Sequence, residues 1–341
     1  MLENMKKLSE LYGPSGDESK VVKYIAAAVR PYVDELYTDA LGTLYAVKHG
    51  GGKRRVMLDA HMDEIAVIVT EIRPDGTMNY STHLGNDPRM LLGKAVLVGA
   101  NCIPGIFRVK NENRYPASDE YLGHDKLCID IGTTSKEETE KYVSVGDYAC
   151  FKASFESYDD KLITGKAFDD RVGCAVIMEL LKNDYPCDLY AVFSVQEEIG
   201  LRGATAAVQN IRPDFGIAFE GPAANDLDIG ATGVQTVCAI GKGPIVTYMD
   251  NFTVVTEKFF NFVQDAAKEN NIPYQLRNGV KGGTNAYAIQ TTFTGAETYV
   301  ISTPCRYIHS PRSIANVDDI INTYKLADAL LRKALYEDKN S

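Results

Sequence analysis

Apolar residues recur along the chain with two different periods, and the change of period divides it. Near the start, Leu2, Met5, Leu8 and Leu11 share one helical face, and residues 19–32 continue a helical pattern that stops at Arg30-Pro31. Residues 44–47 and 55–58 read as strands around the turn Gly50-Gly51-Gly52. Beyond residue 163, strands and helices alternate. A turn begins at Phe168, a nearly all-apolar helix covers 171–181, and strands cover 189–195 and 215–219. A helix at 254–270, a strand at 297–302 and an amphipathic helix at 317–335 follow. Helices between strands predict an α/β domain whose sheet is covered on both faces. The middle segment, roughly 73–161, differs: short strands at 95–98, 105–109, 126–130 and 147–151 are punctuated by Gly, Asn and Pro. It reads as a small β-barrel or sandwich inserted into the α/β domain.

One run resists this pattern. M-L-D-A-H-M-D-E-I-A-V-I-V-T-E-I, residues 57–72, starts and ends like a buried strand, yet His61, Asp63 and Glu64 sit in its middle. An unpaired buried polar group costs about 2–7 kcal/mol, so these residues need compensation.

Composition narrows the function classes. A chain of 341 residues suggests two domains. The net charge of −10, without a basic run, argues against nucleic acid or an anionic membrane surface as partner. No run of 18 apolar residues occurs, and the first residues read as an amphipathic helix rather than a signal peptide. The seven cysteines are scattered without a C-x-x-C spacing, which predicts a reducing, cytoplasmic location.

In an open α/β sheet, ligands bind beyond the carboxyl ends of the strands. Asp59, His61, Asp63 and Glu64 follow the first such strand, and Gln196, Glu197 and Glu198 the second. Glu220 follows the third, Arg306 and His309 the fourth, and Asp169-Asp170 opens the buried helix. Two imidazoles with several carboxylates and no thiolate form a ligand set for zinc, cobalt or manganese. The surplus of acids permits two ions sharing one carboxylate, about 3.5–4 Å apart as in aminopeptidases and phosphatases. Each residue also has a plainer reading. His61 with Asp63 suits a strand-edge patch, Glu197-Glu198 a solvated loop, and Asp169-Asp170 a helix cap. Glu220 suits a turn, and His309 a core position.

The segments A-H-M-D-E-I, K-A-F-D-D-R-V-G, S-V-Q-E-E-I-G-L-R-G-A, G-G-T-N-A and P-C-R-Y-I-H-S-P, in this order, resemble the dinuclear-metal aminopeptidases that assemble as tetrahedral dodecamers, glutamyl/leucyl aminopeptidase-like. The resemblance runs through nearly the whole chain. N-D-P-R-M-L-L-G-K-A-V and L-C-I-D-I-G-T-T-S-K-E-E resemble that family's inserted β-barrel domain. It implies a mixed sheet covered by helices on both faces, phosphorylase/zinc-peptidase-like. The catalytic domain would be discontinuous (residues 1–72 and 163–341), and residues 73–162 would form the oligomerisation barrel. It implies two divalent ions per subunit, zinc or cobalt, with manganese as a further option. His61, Asp169 and Glu220 would hold one ion, and Asp169, Glu198 and His309 the other, with Asp169 bridging. Glu197 would be the general base, and Asp63 would hold the second nitrogen of His61. Peptides would be the substrates.

Two positions depart from the family's pattern: many relatives have Asp where Glu220 stands, and G-G-T-D-A where this chain has Asn285. Both bear on charge balance and substrate choice. Arg306 is the sequence's candidate for attracting an acidic first residue, or else it supports structure. The alternatives are a carboxypeptidase or N-deacylase on the same core, a glycosidase built on Glu197 and Asp169, and a shell protein without activity. The glycosidase leaves both histidines idle.

Overall fold

The computed structural model describes residues 1–82, 87–110, 122–227, 236–280 and 282–333. Its centre is an eight-stranded sheet in the order Glu35–Thr38, Leu44–Lys48, Asp188–Ser194, Arg55–His61, Phe215–Glu220, Glu297–Ser302, Ile245–Thr247, Gln275–Leu276. The four middle strands are mutually parallel, and their outer neighbours Leu44–Lys48 and Ile245–Thr247 run antiparallel to them. The sheet is therefore mixed.

Alternation along these strands explains why both faces need cover. Val56, Leu58 and Ala60 enter one core with Leu189, Ala191, Phe193, Ile217 and Tyr299. Met57, Val192, Ala218 and Val300 enter the other. The helices Leu2–Glu10, Ser19–Val29, Phe168–Leu180, Glu257–Glu269 and Val317–Arg332 supply apolar side chains to the first. Arg202–Ile211 and Ala286–Gln290 close the second. The helix expected from residue 254 starts at Glu257, because the Thr256 hydroxyl accepts the Phe259 N–H and fixes the end there. The closing helix is capped likewise by Asn316, which accepts from Asp318 N.

The inserted segment is a closed six-stranded barrel in the order Val67–Ile72, Met78–Thr82, Leu127–Asp130, Ile103–Val109, Ala95–Val98, Tyr148–Phe151. It has its own core of Val67, Val69, Val96, Phe107, Ile129 and Phe151, among others. The strand Val67–Ile72 pairs with Met78–Thr82 and Tyr148–Phe151 inside the barrel. The run 57–72 is thus not one strand. It is two strands of different sheets, and His61, Asp63 and Glu64 lie where the chain leaves the first for the second.

A third, four-stranded sheet places the last candidate residue. Cys305–Arg306 pairs with Ser313–Asn316, which pairs with Leu162–Gly165 and through it with Glu156–Tyr158. His309 lies on the connection between the first two. No helix among the described residues is long and apolar enough to cross a membrane.

Candidate active site

Register sets the site. His61 ends its strand opposite Ser194 on the neighbour, and Glu220 ends its strand opposite Ser302. Glu197 and Glu198 follow three and four residues after Ser194, so three carboxyl ends deliver their polar residues to one rim of the sheet. Asp169 and Asp170 arrive from the helix Phe168–Leu180, whose opening is not helical at either residue. Their roles divide. Asp170 Oδ1 accepts the Gly173 N–H at 2.9 Å and caps the helix, as the plainer reading expects. Asp169 turns to the histidines.

His61 is buried, with Nε2 3.4 Å from Asp169 Oδ1 and 3.9 Å from Glu197 Oε2. His309 Nε2 lies 3.6 Å from Asp169 Oδ2 and 3.2 Å from Glu198 Oε1. Among the described residues, three groups have ligand atoms within 4.8 Å of one another: His61, Asp169 and Glu220; Asp169, Glu198 and His309; and His61, Glu197 and Glu198. The first two share Asp169, one oxygen toward each imidazole. Of the residues at the strand ends and helix start, His61, Asp169, Glu197, Glu198, Glu220 and His309 therefore meet.

The donor set fits divalent cations. It offers two imidazoles and four carboxylates, and Glu220 Oε1 is buried with no hydrogen-bond partner among the described residues. Such crowding shifts protonation. Burial, with Glu197 and Asp169 nearby, pushes Glu220 well above the usual carboxylate range. Burial lifts Glu197 to about 8 against the pull of His61, with Glu198 adding to the rise. Burial works against a charged His309, but Asp169 and Glu198 raise it to about 10. Burial also opposes ionised Asp169, yet His309 and His61 hold it below its usual range. These groups share protons that a bound cation would displace.

Behind this rim, Asp63 organises the site. Its side chain accepts Ser15 Oγ at 2.6 Å, Glu197 N at 3.0 Å and Glu198 N at 3.2 Å. His61 Nδ1 lies 3.4 Å from Asp63 Oδ1 and 3.1 Å from the Asp63 carbonyl oxygen. The backbone carbonyl is thus the nearer acceptor for the ring N–H.

Asp59 and Glu64 of the run find compensation that the sequence does not reveal. Glu64 pairs with buried Lys166, and Arg171 Nη2 lies 3.7 Å from it. Asp59 Oδ1 accepts Asn285 Nδ2 at 2.6 Å and Ser194 Oγ at 3.2 Å. Burial raises Asp59 to about 7 against these hydrogen bonds. Asn285 therefore serves a buried polar contact behind the rim. A bound cation would account for only part of the charge in residues 57–72.

A cavity of about 290 Å³ opens over the rim, lined by Asp169, Glu197, Glu198, Glu220 and His309. Arg277 and the Gly282-Gly283-Thr284 stretch line it further. Arg277 is the only Lys or Arg in that lining among the described residues. Arg306 is engaged elsewhere: its Nε and Nη2 donate to Asp226 at 2.6 and 2.9 Å, an ion pair that serves structure. Sequence reasoning missed Arg277 because no apolar strand ends at it.

Comparison with known proteins places this geometry in a family. The lysyl aminopeptidase of Pyrococcus furiosus is 31% identical over 97% of this chain and 96% of its own length. The TET aminopeptidase of the marine sediment archaeon Thaumarchaeota archaeon SCGC AB-539-E09 superposes with a TM-score of 0.92 at 32% identity, over 97% of this chain and 96% of that one. The Pyrococcus horikoshii TET1 peptidase, which can assemble into a tetrahedron or a large octahedral shell, matches with a TM-score of 0.86 at 28% identity, over 97% and 98% of the two chains. Residues 42–326 match the M42 glutamyl aminopeptidase family, and the chain belongs to it.

Proposed function

We propose that this protein is a metal-dependent aminopeptidase that removes the first residue of peptides. The observation that carries the reading is Asp169, whose two oxygens face His61 and His309 in two donor groups. His61, Asp169 and Glu220 would hold one divalent ion, and Asp169, Glu198 and His309 the second. Zinc, cobalt and manganese all suit these donors. When bound, the ions supply Lewis acidity to a water and to the scissile carbonyl.

The chain's own residues do the rest. Glu197 stands at the rim within 3.9 Å of His61 Nε2. It takes the proton of the attacking water and delivers it to the leaving amine. Asp63 holds the backbone of Glu197 and the ring of His61, so base and ligand keep one geometry. The free α-amine of the substrate is read by the acidic wall of Glu198 and Glu220. Arg277 suits a carboxylate on the first side chain.

Assembly of this chain as homo-oligomers, up to a tetrahedral dodecamer, follows the tetrahedron and the dodecamer of the TET1 relative, and the barrel is the contact we assign to it. Sedimentation tests it, and a monomer would defeat that part alone. A cytoplasmic location accords with the seven free cysteines. The main test is a panel of amino-acyl chromogenic substrates after chelation and after adding back zinc, cobalt and manganese. No turnover of that panel, with cleavage of aryl glycosides that survives chelation, would instead favour the glycosidase alternative. Efficient cleavage of N-acetylated peptides would favour an N-deacylase or general peptidase.

A further inference from the structure

We propose that Glu18, helped by Ser15, is a positioning residue that holds the Glu197–Glu198 loop in its working shape; the idea rests on Glu197 being the base. Three consecutive backbone amides of that loop are caught by two buried carboxylates. Gln196 N donates to Glu18 Oε1 at 3.1 Å, and Glu197 N and Glu198 N donate to the two oxygens of Asp63. Ser15 Oγ donates to Asp63 Oδ2 at 2.6 Å, so both carboxylates are tied to one turn near the start of the chain.

Gln196 needs such a hold. Its φ is +57°, the left-handed region where a side chain is unfavourable. A residue kept there persists when its surroundings fix it. Glu18 supplies an acceptor to its N–H, and the Arg202 N–H supplies a donor to its carbonyl at 3.2 Å.

The plainer role for Glu18 is to cap the helix Ser19–Val29, which it immediately precedes. Its side chain does not do so: it makes no cap hydrogen bond to that helix. The carboxylate instead turns back, accepts Gly16 N at 2.9 Å and Gln196 N, and is 4% exposed. Gly16, at φ +98°, permits the turn. Gly13 completes the seat through two hydrogen bonds with Glu64: its N–H donates to the side-chain oxygen Oε1, and its carbonyl accepts Glu64 N. This turn lies before the family match at 42–326.

The test compares Glu18→Ala, Glu18→Asp, Glu18→Gln and Glu197→Gln in cobalt-loaded protein. Turnover, metal content and the visible absorption of the cobalt are measured. Glu18→Ala, and Glu18→Asp with its shorter reach, should lower kcat about 10–100-fold through misplacement of Glu197. KM should stay within about threefold and the metal content unchanged. The cobalt spectrum should shift, because Glu198 is two residues from the released amide. Glu18→Gln keeps an acceptor oxygen and should recover most of the rate. Wild-type kcat and an unshifted spectrum in Glu18→Asp would overturn the proposal, as would equal damage from Glu18→Gln. Should wild-type protein turn over no amino-acyl substrate, the aminopeptidase reading falls, and the spectrum alone decides the clamp.

Discussion

His61 Nε2 lies 3.4 Å from Asp169 Oδ1, although one residue ends a strand and the other opens a helix. The second oxygen of Asp169 faces His309. One carboxylate therefore touches both imidazoles, and its loss should affect both ion positions together. Asp169→Asn keeps the shape and removes the charge. It should reduce metal content at both positions and lower kcat by at least about 10²-fold. Elemental analysis after dialysis checks the first outcome. Retention of two tightly held ions would show that Asp169 does not bridge.

Glu197 differs from its neighbour Glu198 in having no role in either of the two groups that share Asp169. Glu197→Gln should leave metal content near the wild-type value while kcat falls by about 10²–10⁴-fold. A variant at full rate with normal metal would remove the base assignment. A variant that also loses metal would make Glu197 a ligand.

Protonation of the same cluster predicts how stability depends on pH after chelation. His309 is raised from 6.5 to about 10, and Glu197 from 4.5 to about 8. Both bind more protons folded than unfolded, so stability falls as pH rises through these windows. The contribution of His309 is complete below 6.5 and lost as pH passes about 10. That of Glu197 is complete below 4.5 and lost through about 8. Chelated protein should therefore melt at a lower temperature at pH 9 than at pH 6.5. Metal-loaded protein should not follow, because cations replace the protons, so the gap between the two melting curves widens with pH. A chelated protein that melts higher at pH 9 would contradict the site's electrostatics.

The cavity wall predicts a selective effect at Arg277. A charge-assisted hydrogen bond contributes about 1.5–3 kcal/mol. Arg277→Gln should lower kcat/KM for glutamyl and aspartyl substrates by about 10–100-fold and leave leucyl substrates nearly unchanged. An equal loss on all substrates would assign Arg277 to structure alone.

The strand-end residues were legible because apolar runs stop at them. His61 and Glu220 mark ends of buried strands, and the register of parallel neighbours does the rest. Partnerships between distant segments were not legible. Val67–Ile72 has the pattern of a strand that continues Arg55–His61, and no periodicity tells which sheet it joins. Asp59 and Asn285 meet across 226 residues, and Glu64 and Lys166 across 102. Such pairs follow from strand order and helix placement, which a single sequence does not state. Glu18 was hidden for a further reason: its place before a helix suggests a cap, and its side chain turns away from that task.

Lys166 and Glu64 offer the sharpest stability test, because both are almost fully buried. Lys166 Nζ donates to the Leu11 carbonyl at 2.8 Å and to Glu64, tying the first helix to the segment that leaves the central sheet. Lys166→Met leaves the Glu64 carboxylate with Arg171 Nη2 3.7 Å away as the remaining cation beside it. Removing one partner of a buried pair costs about 3–5 kcal/mol, whereas replacing both with apolar groups is often near neutral. Lys166→Met should thus lower unfolding free energy in urea by about that amount. Adding Glu64→Met should recover part of it, though not all, because Glu64 also accepts the Gly13 N–H at 3.2 Å. The Gly13 turn carries Ser15 and Glu18, so the single variant should also lose turnover beyond its loss of stability. Were Lys166→Met as stable as the wild type, the ion pair would not be what holds residues 61–64 beneath the site.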